Sequence, residues 1–336
     1  MPLALDPNRQ FDTLHQKALI RYYIDAGVGG IAVGVHSTQF EIREPKYGLF
    51  KPVLTFCSEV INDWCERSNT HIIKVAGICG RTEQAEQEAG FAVEADYHAG
   101  MVSLGALKED EVDDLISHCK RISEIIPVMG FYLQPAAGGR ILPYDFWRRF
   151  AEIDNILAIK IAPFNRYQTL DVVRAICDAG REVDITLYTG NDDNIVPDLL
   201  TEYKFNTARG DKRVRIKGGL LGHWAVWTRK AVELVKEIQD ILDSSSPIPC
   251  EMLTRSMQIT DCNAALFDAA NNFKGCIPGI HEVLYRQGLF SSNVCLNPLE
   301  RLSPGQSEEI DRIYKTYPHL NDDDFVRHHI DKWLKE

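Results

Sequence analysis

Short apolar runs alternate along this chain with longer stretches whose apolar residues recur at helical spacing. The runs occupy residues 3–5, 30–34 (GIAVG), 72–78 (IIKVAGI), 101–104, 126–133 (IPVMGFYL), 156–161 (ILAIKI), 183–188 (VDITLY) and 214–221. Between them, 13–26 is helix-like and stops before Gly27, and 168–179 stops before Gly180. The segment 82–95 opens on Thr82 and Glu83, and 109–125 carries acidic residues in its first turn, where the helix dipole favours them. Residues 224–242 form a long amphipathic stretch. A strand-length run followed by a helix, repeated about every 25 to 40 residues, is the signature of βα units. Eight such runs favour closure, so the predicted fold class is α/β, a (β/α)8 TIM barrel, over an open doubly wound sheet. The first run is short and begins almost at the chain start. From Ser244 the alternation ceases: SSSPIPC reads as a turn, and 250–336 as helices packed outside the barrel, with Asp322–Asp324 capping the last one. The predicted organisation is a barrel over 1–243 and a helical extension over 244–336, forming one structural unit without a linker or a repeat.

Composition narrows the function classes. A net charge of -11 argues against nucleic acid or an anionic membrane as the main partner. No run of 18 apolar residues and no leader-like N-terminus is present, so the expected location is the cytoplasm. The nine cysteines are odd in number and scattered, without CxxC pairs, which is the usage of reduced, buried small residues and offers neither a disulfide frame nor a zinc site. No metal or other cofactor is expected.

Lys160 is the residue that most suggests chemistry. It interrupts the apolar run LAIKIA, where Ala158 and Lys160 share one strand face and Ile159 and Ile161 the other. If the isoleucines face helices, the ammonium points inward, where burial lowers its pKa and makes the amine a nucleophile for a ketone. The competing reading is a strand-end lysine that reaches out to solvent. Tyr132 lies in the preceding run, and adjacent parallel strands are roughly 4.8 Å apart, so a phenol of lowered pKa there is placed to move protons for the amine. A core tyrosine with a satisfied hydroxyl is the alternative.

A tyrosine in YxxP, followed 28 residues later by an apolar-flanked lysine, resembles the dihydrodipicolinate synthase and N-acetylneuraminate lyase family of class I aldolases. The resemblance extends over nearly the whole chain. It includes GVGGIAVG at 27–34, GICGRT at 77–82, YTGND at 188–192, Gly218-Gly219, and the segments at 277–278, 297–299 and 302–303. It implies that Lys160 forms a Schiff base with a 2-oxo acid and that Tyr132 is its proton shuttle. It also implies a homodimer or homotetramer.

The departures bear on substrate. Where the family carries a GTTGE-like loop for the substrate carboxylate, this chain reads GVHSTQFE at 34–41, so His36, Ser37 and Thr38 are the candidate carboxylate ligands. Gly190 is expected to let backbone approach the substrate. His223 and Trp224 are placed to line the pocket or to pack at a helix start, and Arg81 and Asn165 stand equally open. The family's relay tyrosine after strand four is absent from SLGA at 103–106, and its carboxylate arginine falls on Ala137, with Arg140 nearby. Lysine-pathway synthesis is therefore disfavoured, and imine chemistry is retained. The expected function is a class I aldolase or lyase that joins Lys160 to pyruvate or a related 2-oxo acid, for aldol cleavage, condensation or dehydration. Two alternatives stand beside it: a catalytically inactive barrel that binds a small carboxylic acid, and a metal-dependent barrel lyase.

Overall fold

The computed structural model describes residues 1–244 and 246–335; Ser245, within the turn expected at 244–250, and Glu336 lie outside the described residues. In chain order the elements are α1 (Thr13–Ala26), β1 (Gly30–Val33), α2 (Phe50–Ser68), β2 (Ile73–Ile78), α3 (Thr82–Glu94), β3 (Ala99–Val102), α4 (Val112–Ser123), β4 (Val128–Leu133), α5 (Tyr144–Phe150), β5 (Ile156–Ala162) and α6 (Arg166–Ala179). They continue with β6 (Thr186–Thr189), α7 (Ile195–Leu200), β7 (Tyr203–Thr207), β8 (Gly210–Val214), β9 (Gly218–Gly219), α8 (Thr228–Asp243), α9 (Glu251–Leu266), α10 (Cys276–Arg286), α11 (Gln306–Thr316) and α12 (Asp323–Trp333). Contacts group these into two compact units, 75–221 and the combination of 1–74 with 222–336.

Within 75–221 the strands run parallel in the order β2-β3-β4-β5-β6-β9. Gly130 shows which face carries the helices. A Cβ there would lie 2.8 Å from Phe150 and 3.3 Å from Trp147, both on α5. Ile159 pairs with Gly130, and register partners on parallel strands point the same way, so Ile159 and Ile161 face the helix layer and are fully buried. Sheet residues buried on both faces explain why these strands read as continuous apolar runs.

The run at 214–221 does not form the expected last strand. Val214 closes an antiparallel hairpin of β7 and β8, and only Gly218 and Gly219 join β6. The hairpin is set by its turn: Gly210 takes φ 90, and the Thr207 hydroxyl donates to Gly210 O and accepts from Arg209 N.

In the other unit α1 ends where Gly27 adopts φ 98. The expected strand at 3–5 is also absent, apart from an isolated bridge between Leu5 and Phe11. Its residues are buried all the same. The Gln16 side chain accepts from Ala4 N at 2.8 Å and donates to Pro2 O at 3.2 Å, so a side-chain amide satisfies backbone groups that a ladder would otherwise pair. The Met1 ammonium donates to Ala32 O at 2.6 Å.

Asp322 is the N-cap residue of α12, but its carboxylate does not bond that helix. It accepts instead from Arg229 N at the start of α8 (3.0 Å), from the Tyr22 hydroxyl (2.7 Å) and from Gln287 Nε2 (2.9 Å). Burial pushes its carboxyl above the ordinary range, and these donors pull it back. Asp322→Ala leaves Arg229 N and the Tyr22 hydroxyl without their acceptor, while Gln287 keeps Asp323, and is expected to cost about 3 kcal/mol, read as a lower urea midpoint, with Asp322→Asn losing less.

His118 is buried with Nδ1 2.9 Å from the Thr82 hydroxyl, and desolvation pushes its pKa down to about 4. The unfolded chain takes up that proton near pH 6.5 and the folded chain only near 4, so this contribution is lost as pH falls through that window. His118→Gln is expected to flatten the pH dependence of stability by about 1 kcal/mol per pH unit near pH 5 in urea titrations.

Candidate active site

Lys160 stands on the face of β5 away from Ile159 and Ile161, half-buried, between Phe131 on β4 and Tyr188 on β6, its register partners. Its Nζ lies 4.4 Å from the centroid of the Phe131 ring, within cation–π range. The lysine stem runs over Gly190. A Cβ at 190 would sit 2.8 Å from Lys160 Cε, 3.2 Å from its Cγ and 2.7 Å from Ala162 Cβ, so any side chain there would displace the amine. Tyr188 pairs in turn with Gly218, and its ring passes 3.4 Å from where a Cβ of Gly218 would be. Phe131, Lys160, Tyr188 and Gly218 thus form one level across four neighbouring strands.

Tyr132 is on the opposite face. A bulge at the start of the β4–β5 pairing causes this: Val128 pairs with Ile156, but the next residue, Met129, pairs with Ala158. Leu157 is skipped and its side chain is 48% exposed. Before the skip Tyr132 would meet Lys160; after it Phe131 does, and Tyr132 pairs with Ile161. Tyr132 is fully buried with its ring 5.3 Å from that of Trp147, and its hydroxyl accepts from Leu142 N at 3.2 Å. Burial raises its pKa, the reverse of the expected shift. The bond from Leu142 N fastens the approach of α5 to β4.

A buried polar network holds the chain around Gly190. The Asp198 carboxylate accepts from the Thr189 hydroxyl (2.6 Å), Asn191 Nδ2 (3.0 Å) and Asn194 Nδ2 (2.9 Å), and pairs with Arg166. The amide oxygen of Asn191 takes Phe164 N at 3.0 Å, tying the loop after β6 to the one after β5. Gly190 N itself donates to Ile161 O at 2.7 Å. Sequence reasoning missed this network, because its members are scattered over 164–198 and only folding gathers them.

The other expected ligands lie in the unit formed by 1–74 and 222–336. His36, Ser37 and Thr38 make one 3-10 turn. Thr38 is buried, and its hydroxyl accepts from Gly34 N and Val35 N and donates to Met1 O at 2.7 Å, which uses its hydrogen-bonding capacity to hold the turn. His36 and Ser37 are half-buried, and the His36 ring meets Phe40 edge to face at 5.9 Å. His223 is buried edge-on against Trp227, with ring centroids 5.8 Å apart; desolvation pushes its pKa down to about 4, so the imidazole is neutral at pH 7. Asn165 caps α6 by accepting from Tyr167 N and Gln168 N, and Arg140 binds the carbonyls of Leu107 and Asp110. Among the described residues no three His, Cys, Asp or Glu side chains gather so as to hold a metal ion, and no helix is long and apolar enough to cross a membrane.

Tyr132→Phe leaves the buried Leu142 N–H without its acceptor and is expected to cost about 1 to 2 kcal/mol in urea unfolding, while Lys160 keeps its reactivity toward amine reagents.

No family model matches the sequence, and no curated protein matches it. Solved structures do match, over almost their full length. A monomeric dihydrodipicolinate synthase variant is 19% identical, with 95% of each chain covered and a TM-score of 0.72. YagE from E. coli K12, a prophage protein of the dihydrodipicolinic acid synthase family solved in complex with pyruvate, is 18% identical, covering 95% of this chain and 96% of its own, with a TM-score of 0.72. CdNal from Clostridium difficile, solved in complex with mannosamine, is 14% identical, covering 94% and 96%, with a TM-score of 0.70. Likeness at these identities is likeness of fold, and the chain accordingly has the (β/α)8-barrel fold of the dihydrodipicolinate synthases, with additional C-terminal helices.

Proposed function

We propose that this chain is a class I lyase that forms a Schiff base between Lys160 and pyruvate or a related 2-oxo acid. The observation that carries the reading is the setting of Lys160: a half-buried amine on the sheet face turned from the helices, held over an aromatic ring with its stem seated on a glycine. Structures of the same fold, including YagE, have been solved with pyruvate, the smallest ketone of the proposed class.

In this reading the lysine amine adds to the ketone carbon, and loss of water leaves a protonated imine. That cation withdraws electrons from the neighbouring carbon, which serves aldol cleavage, condensation or dehydration alike. The Phe131 ring that faces the ammonium faces the iminium that replaces it, so the positive charge keeps its partner through the reaction. Proton transfer by Tyr132, substrate binding by His36, Ser37, Thr38, Gly190 and His223, work in the cytoplasm, and assembly as a homodimer or homotetramer belong to the same proposal.

The test is borohydride reduction in the presence of pyruvate and a panel of 2-oxo acids, followed by intact mass and peptide mapping. The expected result is one adduct on Lys160, lost in Lys160→Ala. No adduct with any acid of the panel, or adducts spread over surface lysines and unchanged in Lys160→Ala, would sink the reading.

A further inference from the structure

We infer that the β7–β8 hairpin is a docking edge for an extended acidic segment of another protein, taken up by strand addition. The inference is independent of the lyase reading. Residues 202–217 carry six cations, Lys204, Arg209, Lys212, Arg213, Arg215 and Lys217, against two carboxylates, in a chain whose net charge is -11. The hairpin packs against α6 and sorts these cations by face. Phe205 and Lys212 are register partners and half-buried, and Lys212 Nζ reaches Glu182, just past α6, at 2.7 Å. The alternate residues are exposed: Lys204 pairs across the ladder with Arg213, and Asn206 with Asp211. Lys204 and Arg213 thus stand directly opposite each other, 59% and 68% exposed, an arrangement in which like charges repel. Glu202 lies 2.9 Å from Lys204, 3.7 Å from Arg213 and 3.6 Å from Arg215, so one carboxylate serves three cations. Arg209 and Lys217 are exposed as well.

The backbone supplies the second half of the surface. Among the described residues β7 and β8 pair only with each other. In an antiparallel pair every second residue turns its N–H and C=O away from the partner strand, so each strand keeps an open edge. A second copy of this hairpin would bring cations against cations, which disfavours edge-to-edge pairing of two copies. A strand with carboxylates at alternate positions meets the opposite condition. Its backbone completes the edge, and its carboxylates share one face, where Lys204 and Arg213 stand on the hairpin. The partner's chemistry follows: an acid at every second residue, with strand-forming residues between. Cations on an edge can also serve only to block pairing, and that role alone predicts no uptake of an acidic strand.

The experiment follows fluorescence anisotropy of short labelled peptides of equal length mixed with the full chain: alternating glutamate–valine, alternating glutamate–proline and alternating lysine–valine. The glutamate–valine peptide is expected to bind, and to bind more weakly as salt rises, since salt screens exposed charges. Hydrogen exchange over 203–214 is expected to slow in that complex. The glutamate–proline peptide has the same charge but half the backbone N–H groups, and is expected to bind at least about tenfold more weakly. The lysine–valine peptide is expected not to bind. The double variant Lys204→Glu with Arg213→Glu is expected to weaken the glutamate–valine peptide about tenfold or more and to gain the lysine–valine peptide, with an unchanged melting curve. The neutral pair Lys204→Gln with Arg213→Gln is expected to fall between. No binding of the glutamate–valine peptide, equal binding of the glutamate–proline peptide, or affinities that neither double variant alters would overturn the inference.

Discussion

The arrangement around Lys160 follows from how β4 lies on β5. Parallel strands give each residue one partner per neighbour, and partners share a face, so a single skipped residue reassigns every side chain beyond it. Leu157 is that residue. Its side chain goes to solvent, the ladder resumes one residue out of step, and Phe131 instead of Tyr132 comes to stand beside the amine. The consequence is electrostatic as well as steric. The ring that meets the ammonium has no hydroxyl, so it stabilises positive charge without exchanging a proton.

The chain beneath the Lys160 stem is itself held by a polar network. The Asp198 network fixes the chain after β6, and that chain delivers Gly190 to the lysine stem. Buried carboxylates are tolerated where several donors converge, and here four side chains do. The layout separates two tasks: a network that rigidifies the backbone stands behind the face, and the Lys160 side chain lies over Phe131 and Gly190 in front of it.

The unit of 1–74 with 222–336 relies on the same device of borrowed partners. Gln16 supplies hydrogen bonds that the first apolar run would otherwise seek in a strand ladder, and Asp322 caps the helix that begins at 228 while sitting at the start of another. In both cases one buried polar side chain links segments distant in sequence, and each is therefore a point where a small substitution is felt widely.

Much of this was decided locally and could be read along the chain. The alternation of apolar runs with amphipathic segments gave the α/β class and most strands, because a doubly buried parallel strand must be apolar throughout. Gly27 and Gly180 marked helix ends, since a left-handed residue without a Cβ stops a helix cheaply. Lys160 was conspicuous because a cation in an apolar run needs a reason. What the sequence could not show is pairing between strands. The spacing of 28 residues from Tyr132 to Lys160 does not encode the register of β4 on β5, which one bulged residue sets. For the same reason the hairpin at 203–214, the missing strand at 3–5, the inward commitment of Thr38 and the gathering around Asp198 appear only in three dimensions: each depends on which distant group satisfies a hydrogen bond, a choice that local pattern does not encode.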